Sequence, residues 1–446
     1  MDLPRPLEVT FFSFTENRGG ADKAAFRMRQ IVSALGVKTK AVVIRPENYC
    51  NQKSTIAPAI LFRFFHLLSW VYSFLITKLM ITRNHFKHSL NLFGTSFARS
   101  QIKNAQMLHI HWINNEMIKV KDFGLFSGRS VITLHDEWFY CGAEHYAIEL
   151  SAPARFIDGY GRENNDTIGF DLNRYVWKKK RQSYQNLKNV IFTVPSTWML
   201  QRAKSSLLLK HFDIRVVPNP VNTDAFKAVR TNSFYQRYKI EPNDFIIAYC
   251  LGSSKLSHPK GFDLLKKALS LFDTVQMNRS IKLVIFGKPF PVTEYPNIPC
   301  LHLGEICDYR ILSEIYSAAT ITVVPSRAES FGQVAAESLA CETPVVGFDY
   351  SGIKDIVIHK ETGYLAEPFS PESLFDGIYW FYKKDRGDLL KYGRAGRAFV
   401  MENFSSAKVG KQLVSIYDEI DARRRDSAMP RRVPRRGVAS GTAINK

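Results

Sequence analysis

The chain has 446 residues, of which 45% are hydrophobic and 23% charged, so its composition is that of an ordinary globular protein but its length exceeds one compact core. Its net charge of +20 predicts an anionic partner, either a membrane face or a nucleic acid. The six cysteines form no CxxC pair and no metal-ligand spacing, which argues against disulfides and a cysteine-rich zinc module and indicates a reducing compartment.

The first elements of the chain predict a βαβ unit. Residues 7–14 have the pattern of a strand, Gly19-Gly20-Ala21 forms a loop, residues 24–35 follow a helical pattern, and residues 39–44 form the next strand. Neither a G-x-G-x-x-G fingerprint nor a P-loop is present. Residues 1–6 lack the apolar core of a signal peptide, so a cytoplasmic location is expected.

The most hydrophobic stretch runs from residue 56 to residue 81. Its uncharged centre, residues 67–77, is short for a membrane span. A core helix is one interpretation. A helix lying in the membrane interface is another, because the stretch is rich in aromatic residues and flanked by basic ones. A transmembrane helix is the third.

The rest of the chain alternates between apolar runs and helical patterns. Residues 151–175, rich in Gly, Asn and Asp, predict an irregular insertion, and Pro218-Asn219-Pro220 ends the first half. The alternation predicts an α/β fold with two successive doubly wound units. The predicted strands are 107–110, 130–134, 190–194, 214–217, 245–250, 281–286 and 320–324, and the predicted helices of the second half are 261–272, 311–318 and 334–340.

Two carboxylates, Glu329 and Glu337, lie eight residues apart around the turn Ser330-Phe331-Gly332. A strand that feeds a helix through such a turn presents free backbone N–H groups at the helix N-terminus, where phosphate binds well. The two carboxylates can be roughly 10 Å apart, about the span from the sugar to the ribose of a sugar nucleotide. The alternative is a solvated helix with two surface acids.

The pattern resembles the E-x7-E signature of the retaining glycosyltransferases of family 4. Residues 341–347 and 361–365 are similar to that family's "GTPVV" and "TGYL" segments, with Glu342 in place of a glycine. The resemblance implies the GT-B fold, in which two Rossmann-like doubly wound parallel-sheet domains face each other across a cleft. The implied domains are 1–220 on the acceptor side and 221–404 on the nucleotide-sugar side. A helix over 405–421 would cross back to the first domain, and 422–446 would form a disordered basic tail.

The resemblance also implies the donor site. Glu337 is expected to hold the ribose and Glu329 the transferred sugar. The backbone N–H groups of Phe331, Gly332 and Gln333 would contact phosphate and sugar. Lys260 would bind the diphosphate, and the loop Gly19-Gly20-Ala21 would face it. The loop 303–310 is a candidate for reading the base. The residues with these expected roles in donor binding are Gly19, Gly20, Ser254 or Lys255, Lys260, Phe331, Gly332, Gln333 and Glu337.

A run beginning at His135 is similar to the "HDxW" segment of bacterial polysaccharide glycosyltransferases in the same family. His135 ends a predicted strand, where ligand sites of α/β proteins collect, and the resemblance implies contact with the transferred sugar. The alternative is a buried structural histidine. His109 and His111 share one face of a strand, but no third zinc ligand is placed by spacing.

The function implied is retaining transfer of a sugar from a nucleotide sugar to a glycan acceptor, expected to be lipid-linked, in bacterial polysaccharide biosynthesis. Glu329, His135 and Lys260 are the expected catalytic residues. No D-x-D motif ends a strand, so no metal or other cofactor is expected. The protein is expected to bind peripherally to the inner, anionic face of the cell membrane. No nucleic-acid partner is expected. A sugar-nucleotide epimerase, a silent GT-B scaffold and a nucleic-acid-binding protein are the alternatives.

Overall fold

The computed structural model describes residues 7–16, 19–44, 55–56, 60–147, 154–162, 167–229, 232–241, 243–251, 258–287 and 298–428. These residues form two α/β domains and a long final helix. The elements of the first domain are strands β1 Glu8–Phe12, β2 Lys38–Val43, β3 Thr55–Ile56, β4 Met80–Thr82, β5 Met107–Ile110, β6 Ser130–Thr133, β7 Thr167–Gly169, β8 Val190–Val194 and β9 Asp213–Val216, and helices α1 Gly20–Ala34, α2 Ile60–Thr77, α3 Ser96–Asn104, α4 Leu172–Tyr184 and α5 Thr197–Ser205.

The first sheet has the strand order β3-β2-β1-β5-β6-β8-β9, and every pairing is parallel. Its strands are near-continuous apolar runs because both faces of the sheet are covered. Alternate residues of β1 enter different cores: Phe12 packs with Ile110 on one face, and Phe11 packs with Met107 on the other. The order reverses between β1 and β5, so the loops after these strands diverge and leave a crevice.

The second domain repeats this design. Its six-stranded parallel sheet has the order β12-β11-β10-β13-β14-β15, with the reversal between β10 and β13. The predicted doubly wound α/β fold is therefore confirmed. The elements are β10 Phe245–Cys250, β11 Ile281–Phe286, β12 Cys300–His302, β13 Ile321–Val324, β14 Val345–Phe348 and β15 Gly363–Ala366, with helices α6 Ser233–Tyr238, α7 Phe262–Ser270, α8 Tyr309–Ala318, α9 Gln333–Ala340, α10 Pro371–Tyr382 and α11 Arg386–Phe404.

The final helix, α12 Ser406–Ala428, lies on the first domain. Its Leu413 and Tyr417 are fully buried with Met28 and Val32 of α1. The helix extends seven residues beyond residue 421, where the predicted disordered tail was to begin. Arginines of this extension pair with acidic residues one turn back, as in Arg424 with Asp421 at 2.8 Å, which stabilises a helix. Residues 429–446 lie outside the described residues.

The predicted irregular insertion at 151–175 is partly regular. Thr167–Gly169 pairs antiparallel with Met80–Thr82, and α4 begins at Leu172, capped by the Asp171 side chain on the N–H of Arg174. Residues 148–153 and 163–166 lie outside the described residues.

Helix α2 has apolar side chains on almost every face, and many of them are exposed. Phe65 is 58% exposed, Tyr72 61% and Leu75 57%, so the interpretation of this helix as a core helix is wrong. Within the part of the chain that the structure describes, no helix is long and apolar enough to cross a membrane.

Candidate active site

Glu329 lies in the loop that follows β13, at the strand reversal of the second domain. Its carboxylate accepts hydrogen bonds from Lys260 Nζ at 2.6 Å and from Ser326 Oγ at 2.9 Å. Burial opposes the charge of Lys260, but the Glu329 carboxylate outweighs it and raises the pKa of Lys260 above its usual value. The cation is therefore held beside Glu329 by this ion pair.

Gly261 brings Lys260 to this position. Its φ is +68°, in the left-handed region, and a Cβ there would lie 1.8 Å from the carbonyl oxygen of Pro325. Only glycine allows so close an approach. The N–H of Arg327 also donates to the carbonyl of Pro259 at 3.0 Å, so the two loops are joined on both sides of Lys260.

Glu337 lies on α9 and is 6% exposed. Its Oε1 accepts from Gln333 Nε2 at 3.1 Å and from Arg27 Nη2 at 2.8 Å. Arg27 belongs to α1 of the first domain, and the bridge therefore joins the two domains. Burial lowers the pKa of Arg27, but Glu337 and the neighbouring Tyr309 more than compensate and the pKa lies above its usual value. Sequence reasoning missed Arg27, because no motif marks a residue 310 positions away.

The N-terminus of α9 is shaped by Gly332 and the loop after β14. Gly332 has φ +108°, and a Cβ there would lie 2.6 Å from Cδ1 of Ile353. Ser351 Oγ accepts from the N–H of Glu329 at 3.1 Å, and the N–H of Gly352 donates to the carbonyl of Glu329 at 2.8 Å. The turn containing Phe331, Gly332 and Gln333 is held rigidly, and the first N–H groups of the helix have no partner within it. This is a ready anion site.

His135 follows β6 in the first domain and is half-buried. Its Nε2 lies 2.8 Å from Nδ1 of His111. Burial lowers the pKa of His135 to about 4, so its imidazole is neutral at pH 7 and can donate or accept a hydrogen bond. His109, by contrast, uses both ring nitrogens, at 2.6 Å from Tyr417 Oη and 2.7 Å from Thr133 Oγ1, so a zinc role for it is not supported by this geometry.

Asp136 and His145, from the run that begins at His135, form a buried pair at 2.6 Å. Burial alone would raise the pKa of Asp136, but His145 and the N–H donors of Trp138 and Trp112 lower it, so the carboxylate is charged. Tyr146 follows on the side towards the second domain, and burial together with the charges of Asp136 and Glu329 raises the pKa of its phenol.

The remaining predicted donor residues lie near the start of α1 or outside the described residues. Gly20 begins α1, and no atom lies within 4 Å of where its Cβ would be, so the space in front of it is open. Gly19 adjoins Asp22, whose carboxylate accepts from Ser13 and Thr15. Ser254 and Lys255 lie outside the described residues.

The domains also meet beside the Glu329 loop. Ser196 Oγ, at the start of α5, donates to the carbonyl of Ser330 at 2.6 Å, and Thr197 Oγ1 donates to Asp355 Oδ1 at 2.6 Å. The structure therefore brings Glu329, Lys260, Glu337 and the α9 turn together in one domain and places Arg27, Ser196 and Tyr146 of the other domain against them.

Residues 236–399, which contain this half of the site, match the family model described as glycosyl transferases group 1. This half of the chain is therefore similar to the group 1 glycosyl transferases. Among curated proteins it is 32% identical over 260 residues to a D-inositol 3-phosphate glycosyltransferase of Acidothermus cellulolyticus, covering 55% of this chain and 56% of that protein. The chain thus spans about half the length of this relative.

Solved structures share the two-domain GT-B architecture with this chain. Sucrose-phosphate synthase of Thermosynechococcus elongatus superposes with a TM-score of 0.63 at 16% identity, over 93% of this chain and 99% of that one. HepE of Anabaena, in complex with UDP-glucose, gives a TM-score of 0.61 at 13% identity, over 93% and 100%. At these identities the similarity concerns the fold.

Proposed function

We propose that the chain transfers a sugar from a nucleotide-sugar donor to a glycan acceptor, with retention at the anomeric carbon. The observation that carries this proposal is the arrangement around α9, where Glu329 paired with Lys260 lies at one side of the helix N-terminus and Glu337 lies on the helix itself. Two carboxylates can bind the hydroxyl groups at the two ends of a sugar nucleotide, while a cation and free N–H groups bind the diphosphate between them.

This geometry supports the donor roles that we propose. Glu337 would accept from the ribose hydroxyls and Glu329 from hydroxyls of the transferred sugar. The backbone N–H groups of Phe331, Gly332 and Gln333 would face the phosphate and sugar, and Lys260 the β-phosphate. HepE of Anabaena was solved in complex with UDP-glucose, which supports a nucleotide sugar as the donor class.

The reaction breaks the bond between the anomeric carbon and the β-phosphate oxygen and forms a bond from that carbon to an acceptor hydroxyl oxygen on the same face. The proton of the hydroxyl passes to the departing phosphate. Negative charge grows on this phosphate as the bond breaks, and Lys260 and the α9 N-terminus stabilise it where it develops. We propose that these cationic groups suffice without a metal. His135, held neutral, would donate to or accept from the transferred sugar.

The acceptor is proposed to be a lipid-linked glycan of bacterial polysaccharide biosynthesis, reached by a protein bound peripherally to the inner face of the membrane. The exposed apolar side chains of α2 and the net charge of +20 support this placement. The curated relative is named for a sugar-transferring enzyme whose acceptor carries a phosphate.

The donor site is tested by thermal unfolding with UDP, GDP, ADP and dTDP sugars. A ligand that binds the folded state raises the melting temperature by mass action. We expect one nucleotide class to raise it, Glu337→Ala to abolish the shift, and Glu329→Gln to retain the shift but lose transfer. No shift with any class, or equal transfer in all three proteins, would refute the assignment. Product formed without an acceptor would indicate an epimerase.

A further inference from the structure

A large cavity lies in the first domain beneath α2. Its volume is about 1140 Å³, at the upper end of the roughly 300–1000 Å³ typical of ligand pockets. Its walls come from α2 and from residues 78–90, which follow α2 and include β4. Phe14 and Ile44, which come just after β1 and β2, also line it. No residue of this cavity belongs to the donor site described above.

The inner face of α2 lines the cavity. Leu67, Trp70, Phe74 and Thr77 recur at helical spacing and all contact it. The outer face carries other apolar side chains, such as Leu75, which is 57% exposed. The lining residues Leu67, Trp70 and Phe74 are also 42–52% exposed, so the cavity is open to solvent along α2. A helix that is apolar all round is normally buried in protein or lipid. Here one face borders an unfilled space and the other is uncovered, an arrangement suited to an apolar ligand that enters from a membrane.

The far end of the cavity reaches the cleft. Lys87 lines it, and its Nζ lies 4.1 Å from the centre of the Trp112 ring, whose N–H donates to Asp136. Ser89 also lines it and is 2.9 Å from Nε2 of His145, the partner of Asp136. The cavity therefore ends one side chain away from Asp136, the neighbour of His135 in the chain.

A third contact leads from the cavity to the second domain. The ring of Phe86, another lining residue, lies 5.1 Å from that of Tyr146. Tyr146 is close enough to Glu329 of the second domain for that carboxylate, after burial and Asp136, to raise its pKa. The end of the cavity near the cleft is cationic through Lys87. Among the described residues that line the cavity, Glu116 carries the buried carboxylate, which accepts from Ser73 Oγ at 2.8 Å and from the N–H of Phe93 at 2.8 Å.

We propose that this cavity holds the hydrocarbon chain of an anionic, amphiphilic acceptor, with the anionic head beside Lys87 and the acceptor sugar in the cleft. This inference rests on the proposed function and names the place and chemistry of the acceptor's lipid. The outer face of α2 contacts the bilayer from which the lipid comes.

The test uses titration calorimetry of the full chain with dodecyl phosphate, butyl phosphate, inorganic phosphate and dodecyl maltoside, all below their micellar concentrations. We expect dodecyl phosphate to bind at least tenfold more tightly than butyl phosphate or inorganic phosphate. Thr77→Trp, which fills the cavity from α2, should weaken dodecyl phosphate at least tenfold. Leu75→Trp, on the outer face of the same helix, should change the affinity less than twofold. Thr82→Trp fills the cavity from β4 if the first variant misfolds.

Lys87→Met distinguishes binding of the anionic head group from binding of the hydrocarbon chain. It should weaken the binding of dodecyl phosphate and leave the binding of dodecyl maltoside unchanged. Equal affinities for the dodecyl and butyl phosphates, or equal losses in Thr77→Trp and Leu75→Trp, would overturn the proposal. Thermal shifts with the nucleotide sugar are measured on the same variants. If the wild type binds dodecyl phosphate but no nucleotide sugar, the proposed function alone is refuted. If it binds a nucleotide sugar but not dodecyl phosphate, the cavity proposal alone is refuted.

Discussion

The bridge between Arg27 and Glu337 places two nearly buried opposite charges at the domain boundary, with side chains 10% and 8% exposed. Removing one partner leaves the other charge buried and uncompensated, which costs about 3–5 kcal/mol. We expect Arg27→Met and Glu337→Gln each to lower the free energy of unfolding by roughly this amount, and the double variant to lose less than the sum. Urea denaturation measures all four proteins, and strictly additive losses would mean that the residues do not interact.

Lys180 is a buried amine outside the proposed site. Its side chain is 0% exposed and donates to the carbonyls of Trp138, Cys141 and Gly142. Burial lowers its pKa from 10.5 to about 7, so the unfolded chain binds more protons than the folded one between these values. Stability should therefore rise with pH from about 7 towards 10 in the wild type.

The matched variants are Lys180→Met and Lys179→Met on the same helix, where Lys179 is exposed. The difference in melting temperature between wild type and Lys180→Met should change with pH over this range, in favour of the wild type at high pH. Lys179→Met should follow the wild type. Parallel profiles for all three proteins would show that Lys180 titrates normally.

At the scale of elements, the loop before α7 is held by Gly261. A Cβ at this position would overlap the Pro325 carbonyl, so Gly261→Ala must displace the loop that carries Lys260. We expect a loss of about 1–3 kcal/mol in stability and at least tenfold weaker binding of the nucleotide sugar. Gly161→Ala is the control, because nothing lies within 4 Å of its Cβ position. If Gly261→Ala binds the nucleotide sugar as tightly as the wild type, Lys260 does not contact the donor.

The exposed apolar face of α2 is predicted to contact an anionic membrane. Anionic liposomes should bind the protein at low salt and release it as salt rises, because part of the attraction is electrostatic. Phe65→Glu with Tyr72→Glu should reduce flotation several-fold. Leu390→Glu with Met401→Glu, at exposed apolar positions of α11 in the second domain, should not. Equal flotation of both double variants would place the membrane contact elsewhere.

The elements differ in how far the sequence foretold them. Strands such as β8 and β10 were predicted to the residue, because parallel strands buried on both faces are continuous apolar runs. The positions of Glu329, Glu337 and Lys260 came from motifs in one domain. Arg27 could not be foreseen, since its partner is fixed by domain packing, and the pattern of α2 says that a face is apolar but not whether protein covers it.

At the scale of the whole molecule, α12 ties the end of the chain to the first domain. Val409, Leu413 and Tyr417 are fully buried there. Tyr417 Oη lies 2.6 Å from His109, whose ring centre is 4.1 Å from that of His111. Removing the helix would uncover an apolar cluster that includes β1 and α1. The first domain should then lose its cooperative packing, whereas the core of the second domain, which α12 does not enter, should persist.

A chain that ends after Phe404 should therefore show early proteolysis within the first domain and lose sugar transfer. A chain that ends after Ala428 keeps all of α12 and should melt like the full protein. Calorimetry with the nucleotide sugar distinguishes the domains, because the donor residues Lys260, Glu329 and Glu337 are all in the second. Retained, though weaker, nucleotide binding by the shorter chain is expected, since Arg27 would no longer be held against Glu337. Simultaneous loss of both domains in one transition would instead mean that the domains fold as a single unit, joined by the contacts of Arg27 and Ser196 across the cleft.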